Sequence, residues 1–308
     1  MMSEIEQAAH DKYADELIDR LFADKEKVAK RARAAPVLLE RVYDKELNAI
    51  ELSIDEAGRG CLFGRVYIAC VVLPKDPLAF NGKDIKDSKK FSSKKKLNQV
   101  AEYIKLHARA WHVEYVDEDV IDKINILQSV IQGMHKCIRK TILKIYAECG
   151  DRLPLDDFMA VVDGNYFKPF VSYDMEKRQI VELNSVTVEQ GDGKYMAIAA
   201  ASILAKTARD AYVADMCDKY PVLDEYYGLR SNQGYGTKKH FDGIRKYGIT
   251  KWHRKTFGCC NGAPVITIDG ENDYSSSSDD ETDALWIIDW TVGKKAKSVR
   301  IFFFSARI

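Results

Sequence analysis

Apolar residues recur along this chain in two rhythms, and the changes of rhythm mark its elements. Residues 49–54 read as a short strand that runs into a turn over Asp55–Gly60. Val66–Leu73 is almost continuously apolar, as expected of a strand covered on both faces, and Trp111–Val116 makes a third strand. Three strands joined by short or modest links suggest an antiparallel meander. Leu97, Val100, Ile104 and His107 share one side of a helix that follows a basic loop. Ile124, Leu127, Ile131, His135 and Ile138 keep helical spacing within 119–149. Phe158–Val162 is a fourth strand ending in Asp163-Gly164, and Ser185–Val188 a fifth. After Gly193 an Ala-rich helix runs almost free of breakers to Pro221. Strands followed by covering helices define an α/β or α+β body over roughly 48–258.

The two ends differ from this body. Residues 12–34 place Leu17, Ile18, Leu21, Phe22 and Val28 on one face of a helix expected to pack on the body, so 1–47 reads as a helical extension. Residues 259–308 read as an acidic, Ser-rich, flexible tail around SSSSDDETD at 275–283. The 308 residues carry a formal net charge of zero, but the charge is segregated. Each end bears about three net negative charges and the middle about six positive ones, which is either ordinary surface variation or a polyanion-binding body with solvating extensions. A hydrophobic fraction of 46% excludes a wholly disordered chain. The seven cysteines include no CxxC pair, so neither a zinc site nor a disulfide framework is expected. The charged start is no secretory signal and no apolar run is long enough for a membrane span, so a cytoplasmic or nuclear location is expected.

Four carboxylates fall where carboxylates are costly. Asp55 and Glu56 follow one expected strand, Asp163 ends another, and Asp210 lies inside the Ala-rich helix, four residues after Lys206. Converging, they would need a counter-charge, and oxygen donors without His or Cys select Mg²⁺ or Mn²⁺. Such a site suits phosphoryl transfer. On spacing alone they read equally as separate turn and cap residues. Gly58-Arg59-Gly60 is either a plain tight turn or a place where backbone amides approach a ligand. Gly234-Tyr235-Gly236-Thr237 would present the Tyr235 ring for stacking, with Thr237 capping the next helix and His240 serving packing or hydrogen bonding. Seven lysines within Lys83–Lys96 form either a solvated loop or a lining for a phosphate backbone. Ser202 and Lys206 are four apart, which is not the SxxK spacing of a Ser-Lys hydrolase.

Six runs together resemble ribonuclease HII, the type 2 RNase H family. They are IDEAGRG (54–60), KDSKK (86–90), VVDGN (161–165), AIAAASILAKTARD (197–210), GYGTKKH (234–240) and HRKTF (253–257). The resemblance covers roughly Asn48–Gly258, in forms closer to the bacterial enzymes. It implies an RNase H-like fold of the α/β class, with a mixed five-stranded sheet flanked by helices and a helical C-terminal part. It also implies a metal site of Asp55, Glu56, Asp163 and Asp210, with Asp55 and Asp163 sharing metal contacts. Gly58, Arg59 and Gly60 would read a 2′-hydroxyl, Tyr235 would stack on the neighbouring deoxyribose, and Lys89 and Lys206 would hold phosphates. The implied activity is cleavage of RNA in RNA/DNA hybrids and at ribonucleotides embedded in duplex DNA, by a monomer. The chain departs from the family at Cys61-Leu62-Phe63-Gly64-Arg65, where Pro-Leu and a later Gly-Pro are usual. A non-specific metal nuclease and an inactive hybrid-binding protein are the alternatives. Val299, Phe302 and Phe303 have sliding-clamp peptide spacing within 296–303, although Ala296 stands where such motifs carry Gln.

Overall fold

A computed structural model describes residues 39–44, 49–174 and 177–268. The helix expected over 12–34, the acidic run at 275–283 and the clamp-like segment at 296–303 lie outside these residues.

The central sheet has five strands: β1 (Ile50–Ala57), β2 (Val66–Val72), β3 (Ala110–Val116), β4 (Phe158–Asp163) and β7 (Asn184–Val188). Their spatial order is β3-β2-β1-β4-β7. β1, β2 and β3 form the expected antiparallel meander, while β4 and β7 run parallel to β1, so the sheet is mixed. A two-stranded hairpin, β5 (Val171–Asp174) and β6 (Gln179–Glu182), was not expected. Its alternation is short and its side chains are mostly exposed, so it carries little hydrophobic signal.

β2 is buried along its whole length because helices cover both faces of the sheet. Ile68, Cys70 and Val72 face α2 (Glu118–Cys149), where Met134, Cys137 and Ile138 complete one core. Ala69 and Val71 face the other way, against α1 (Lys94–His107) and α3 (Met196–Lys219). The small side chains of Ala199, Ala200, Ala201 and Ala205 let α3 lie close on the sheet. α2 breaks at Asn125, whose φ of 68° is not helical and whose side chain accepts the N–H of Gln128. Short helices α4 (Val222–Tyr227), α5 (Leu229–Asn232) and α6 (Lys238–Tyr247) follow α3. Thr237 caps α6 by accepting from the His240 N–H.

The packed body extends past both expected boundaries. Glu40 bonds Lys194 and Met196 through its backbone, and the Ile249 N–H donates to Pro264. Leu39, Cys260 and Ile268 are buried. Among the described residues no helix is long and apolar enough to cross a membrane.

Ile138 is fully buried between α2 and the sheet. Ile138→Ala is expected to cost about 2–5 kcal/mol, read as a lower denaturant midpoint at unchanged slope.

Candidate active site

β1 does not turn at Asp55 as the sequence suggested; it continues through Ala57. This keeps Asp55 in the sheet. Ile54 pairs with Val162 across the parallel β1–β4 ladder, so Asp55 and Asp163 stand at the carboxyl ends of adjacent central strands. Asp55 is buried and Glu56 half-buried. Burial holds the Asp55 carboxyl well above its ordinary range, and the charges of Glu56 and Asp163 push it the same way. Burial also raises Glu56, against the opposing pull of Arg59. Burial raises Asp163 as well, although its Oδ1 accepts the Gly191 N–H at 2.6 Å.

The fourth carboxylate of this corner is Asp192, and Asp210 stands apart. Asp192 sits on the single turn Gly191–Gly193 that caps Asp163, and its charge also raises Asp163. It is buried and paired with Lys89 Nζ at 3.6 Å. Asp210 instead accepts from Lys206 Nζ at 3.0 Å, one turn along α3. Ser202, whose hydroxyl bonds Asp55, precedes Asp210 by two turns, about 12 Å along the helix axis. Helix geometry thus sets Asp210 away from the corner it was expected to join. Asp192 was missed because it lies in a loop whose backbone path the sequence does not reveal. Its one cue was a Gly-Asp-Gly turn just before the Ala-rich helix.

Lys89 reaches the corner through local chemistry. Asp87 caps the turn Ser88–Lys90 by accepting the Lys89 N–H at 2.9 Å. Ser88 is buried with its hydroxyl 3.0 Å from that of Ser202. Burial alone would lower the Lys89 ammonium, but Asp192, Asp87 and Asp55 outweigh it and raise it. Lys96 and Lys90 are instead paired with Asp84 and Asp87. Ser202 thus anchors the site.

The GRG and GYG loops meet beside this corner. Gly58 has φ +92°, and a Cβ there would run into the Arg209 side chain, so this glycine makes room for Arg209. Gly60, unlike Gly58, has open space around its Cβ position. Arg59 Nη1 lies 3.3 Å from Glu56 Oε1. Buried Arg209 donates to the carbonyls of Gln233 and Phe63. Buried Arg254 donates to those of Arg59 and Gly64. The Leu62 N–H bonds Gly234, so the two loops form one surface. Tyr235 is 49% exposed on it, with the Arg209 guanidinium 5.9 Å from its ring centroid. At the departures from the family pattern, Cys61 is buried with Sγ 3.6 Å from the Gln233 carbonyl, and Arg65 is paired with Asp117 at 2.6 Å.

Among the described residues no three His, Cys, Asp or Glu side chains are gathered tightly enough to hold a metal ion as they stand. The donor chemistry nevertheless fits one. Asp55, Glu56, Asp163 and Asp192 are all oxygen donors, and three of them are kept from ionising freely by burial and mutual repulsion.

A mixed five-stranded sheet flanked by helices thus carries carboxylates at the ends of adjacent parallel strands, beside a lysine-bearing loop. The family model for ribonuclease HII matches residues 52–260. The ribonuclease HII of Parabacteroides distasonis is 42% identical over 212 residues, spanning 69% of this chain and 92% of that protein. The ribonuclease HII of Phocaeicola vulgatus is 39% identical over 221 residues, spanning 72% and 95%. That of Flavobacterium psychrophilum is 40% identical over 214 residues, spanning 68% and 90%. The chain belongs to the ribonuclease HII family, and is a ribonuclease H endonuclease that hydrolyses phosphodiester bonds. The family depends on divalent metal and acts on RNA/DNA hybrids.

The raised carboxylates have a measurable consequence. Below the ordinary carboxylate range the folded and unfolded chains are both protonated at these positions, and the folding penalty is absent. As pH rises through the raised folded values, the buried groups must ionise and stability is lost. Asp55→Asn should therefore raise the thermal midpoint in chelator at pH 7, by roughly 2–4 °C per kcal/mol of repulsion relieved. Adding Mg²⁺ or Mn²⁺ should stabilise the wild type more than Asp55→Asn.

Proposed function

We propose that this enzyme cuts RNA paired with DNA, including single ribonucleotides embedded in duplex DNA, on the 5′ side of the ribonucleotide. The cut leaves 3′-hydroxyl and 5′-phosphate ends. The observation that carries the reading is the buried carboxylate corner of Asp55, Glu56, Asp163 and Asp192 beside Lys89, adjoining the surface of Gly60 and Tyr235. Those four carboxylates would hold Mg²⁺ or Mn²⁺. A bound divalent ion supplies Lewis-acid stabilisation of the phosphate and a more acidic water.

The chain's own residues do the rest. Lys89 extends into solvent from its pairing with Asp192, and so offers an ammonium to a phosphate beside the carboxylates. Lys206 lies one turn along α3 from Ser202 and offers a second, with Asp210 fixing its direction. The open backbone at Gly60 lets a 2′-hydroxyl approach the Arg59–Gly60 peptide, which a side chain at 60 would obstruct. The half-exposed Tyr235 ring gives the adjoining deoxyribose a stacking surface. The presence of both features argues against a nuclease without RNA specificity, and the complete carboxylate set argues against an inactive binder. Since the relatives reported above are bacterial, we place the enzyme in the cytoplasm, as a monomer. The clamp segment at 296–303 lies outside the described residues.

The test is a duplex with one embedded ribonucleotide. Wild type should nick it with Mg²⁺ or Mn²⁺, Asp55→Asn should not, and cutting of an all-DNA control at equal rate would remove the RNA specificity. Asp192→Asn should lose about 100-fold or more in kcat, and Asp210→Asn about tenfold or less. The reverse order would return Asp210 to the metal set.

A further inference from the structure

Two buried histidines lie behind Tyr235 and take no part in the chemistry above. His240 comes from α6 and His253 from the loop after it, and both are fully buried. Their Nε2 atoms are 3.1 Å apart. Such a contact holds only if one nitrogen carries a proton and the other does not. The surroundings decide which. His253 Nδ1 receives the backbone N–H of Thr250 at 3.0 Å, and the Thr250 hydroxyl, 2.9 Å from the same nitrogen, can donate to it as well; Nδ1 is therefore an acceptor and His253 carries its proton on Nε2. His253 Nε2–H must then donate to His240 Nε2. That forces the His240 proton onto Nδ1, which lies 3.0 Å from the backbone carbonyl of Tyr235. Burial keeps both imidazoles below their ordinary value, His253 further so through its neighbour, and hence neutral at physiological pH.

We propose that His240 and His253 are positioning residues: a one-way hydrogen-bond relay from the Thr250 amide to the Tyr235 carbonyl that fixes the backbone from which the Tyr235 ring is presented to substrate. This rests on the substrate role proposed for Tyr235. The relay adds a second hydrogen bond to the carbonyl of a residue set between two glycines. Gly234 at φ +80° and Gly236 flank it, and glycines impose little conformational restraint. The Tyr235 N–H is tied to Asn232 at 3.0 Å, and the Thr237 N–H also donates to the Tyr235 carbonyl, at 2.9 Å. His253 also packs edge-on against Phe63, so the relay is seated on the GRG side of the same surface.

The experiment separates the outer link from the inner one. In His240→Asn the side-chain amide lies near the Nδ1 position and still reaches the Tyr235 carbonyl. In His240→Gln it lies near the Nε2 position, keeps the His253 contact and loses the Tyr235 bond. Steady-state cleavage of the single-ribonucleotide duplex should show KM raised about three- to tenfold in His240→Gln, kcat changed less than about twofold, and His240→Asn close to wild type. Combined with Tyr235→Ala, the two variants should become alike. Equal KM values for Asn and Gln, or a difference that persists without the tyrosine ring, would overturn the proposal. Imidazole ¹⁵N spectra of the wild type give a check that needs no variant to fold: His240 protonated on Nδ1 and His253 on Nε2. Either ring in the opposite tautomer would also overturn it. If wild type leaves the duplex uncut, the functional reading fails, while the spectra still decide the relay.

Discussion

Neighbouring strands lie about 5 Å apart, so carboxylates at the ends of two parallel ones are held close and repel. In this chain Asp55 and Asp163 are in that position, and the sheet allows neither to withdraw. Much of the surrounding architecture answers this repulsion. The turn at Gly191 turns a backbone N–H toward Asp163, Ser202 gives a hydroxyl to Asp55, and Lys89 brings a cation through Asp192. These partners come from three separate stretches of chain. Their common purpose is to make a charge-dense corner compatible with a folded protein while leaving it short of positive charge. Under the proposed function, a divalent ion would complete what the side chains leave undone.

The loop surface beside the corner depends on a second group of buried charges. Arg209 and Arg254 lie beneath the two glycine-bearing loops and donate to four backbone carbonyls between them. Their desolvation is incompletely compensated: among the described residues Arg209 Nε and Arg254 Nη2 have no hydrogen-bond partner, and burial pulls Arg254 down to about 10. Cost of this kind is spent on geometry. Leu62 and Phe63 seat the first loop in the core, and hydrogen bonds from rigid guanidinium groups fix its backbone and that of the second. Gly58 belongs to the same arrangement, since its missing Cβ is the space that Arg209 occupies.

Much of the fold was legible because burial imposes a rhythm. The apolar run of β2, the alanine stripe of α3 and the helical spacing in α1 and α2 each record a face turned inward. The β5–β6 hairpin left little trace, because exposed strands are under no such constraint. The strand ending expected at Ile54 was wrong for a related reason: Asp55 and Glu56 look like turn residues, yet backbone pairing with Ala69 and Ile68 carries β1 past them.

The sequence by itself determined the class of fold, the carboxylate pair on β1, the acid ending β4, and the glycine-flanked arginine and tyrosine. Each of these is local chemistry written in consecutive residues. Only the tertiary structure decided that Asp192 joins the corner and Asp210 belongs to Lys206, that Gly58 accommodates Arg209 while Gly60 stays open, and that two histidines meet behind Tyr235. These depend on distances between segments far apart in the chain, and residue identity does not encode such distances until the backbone has closed.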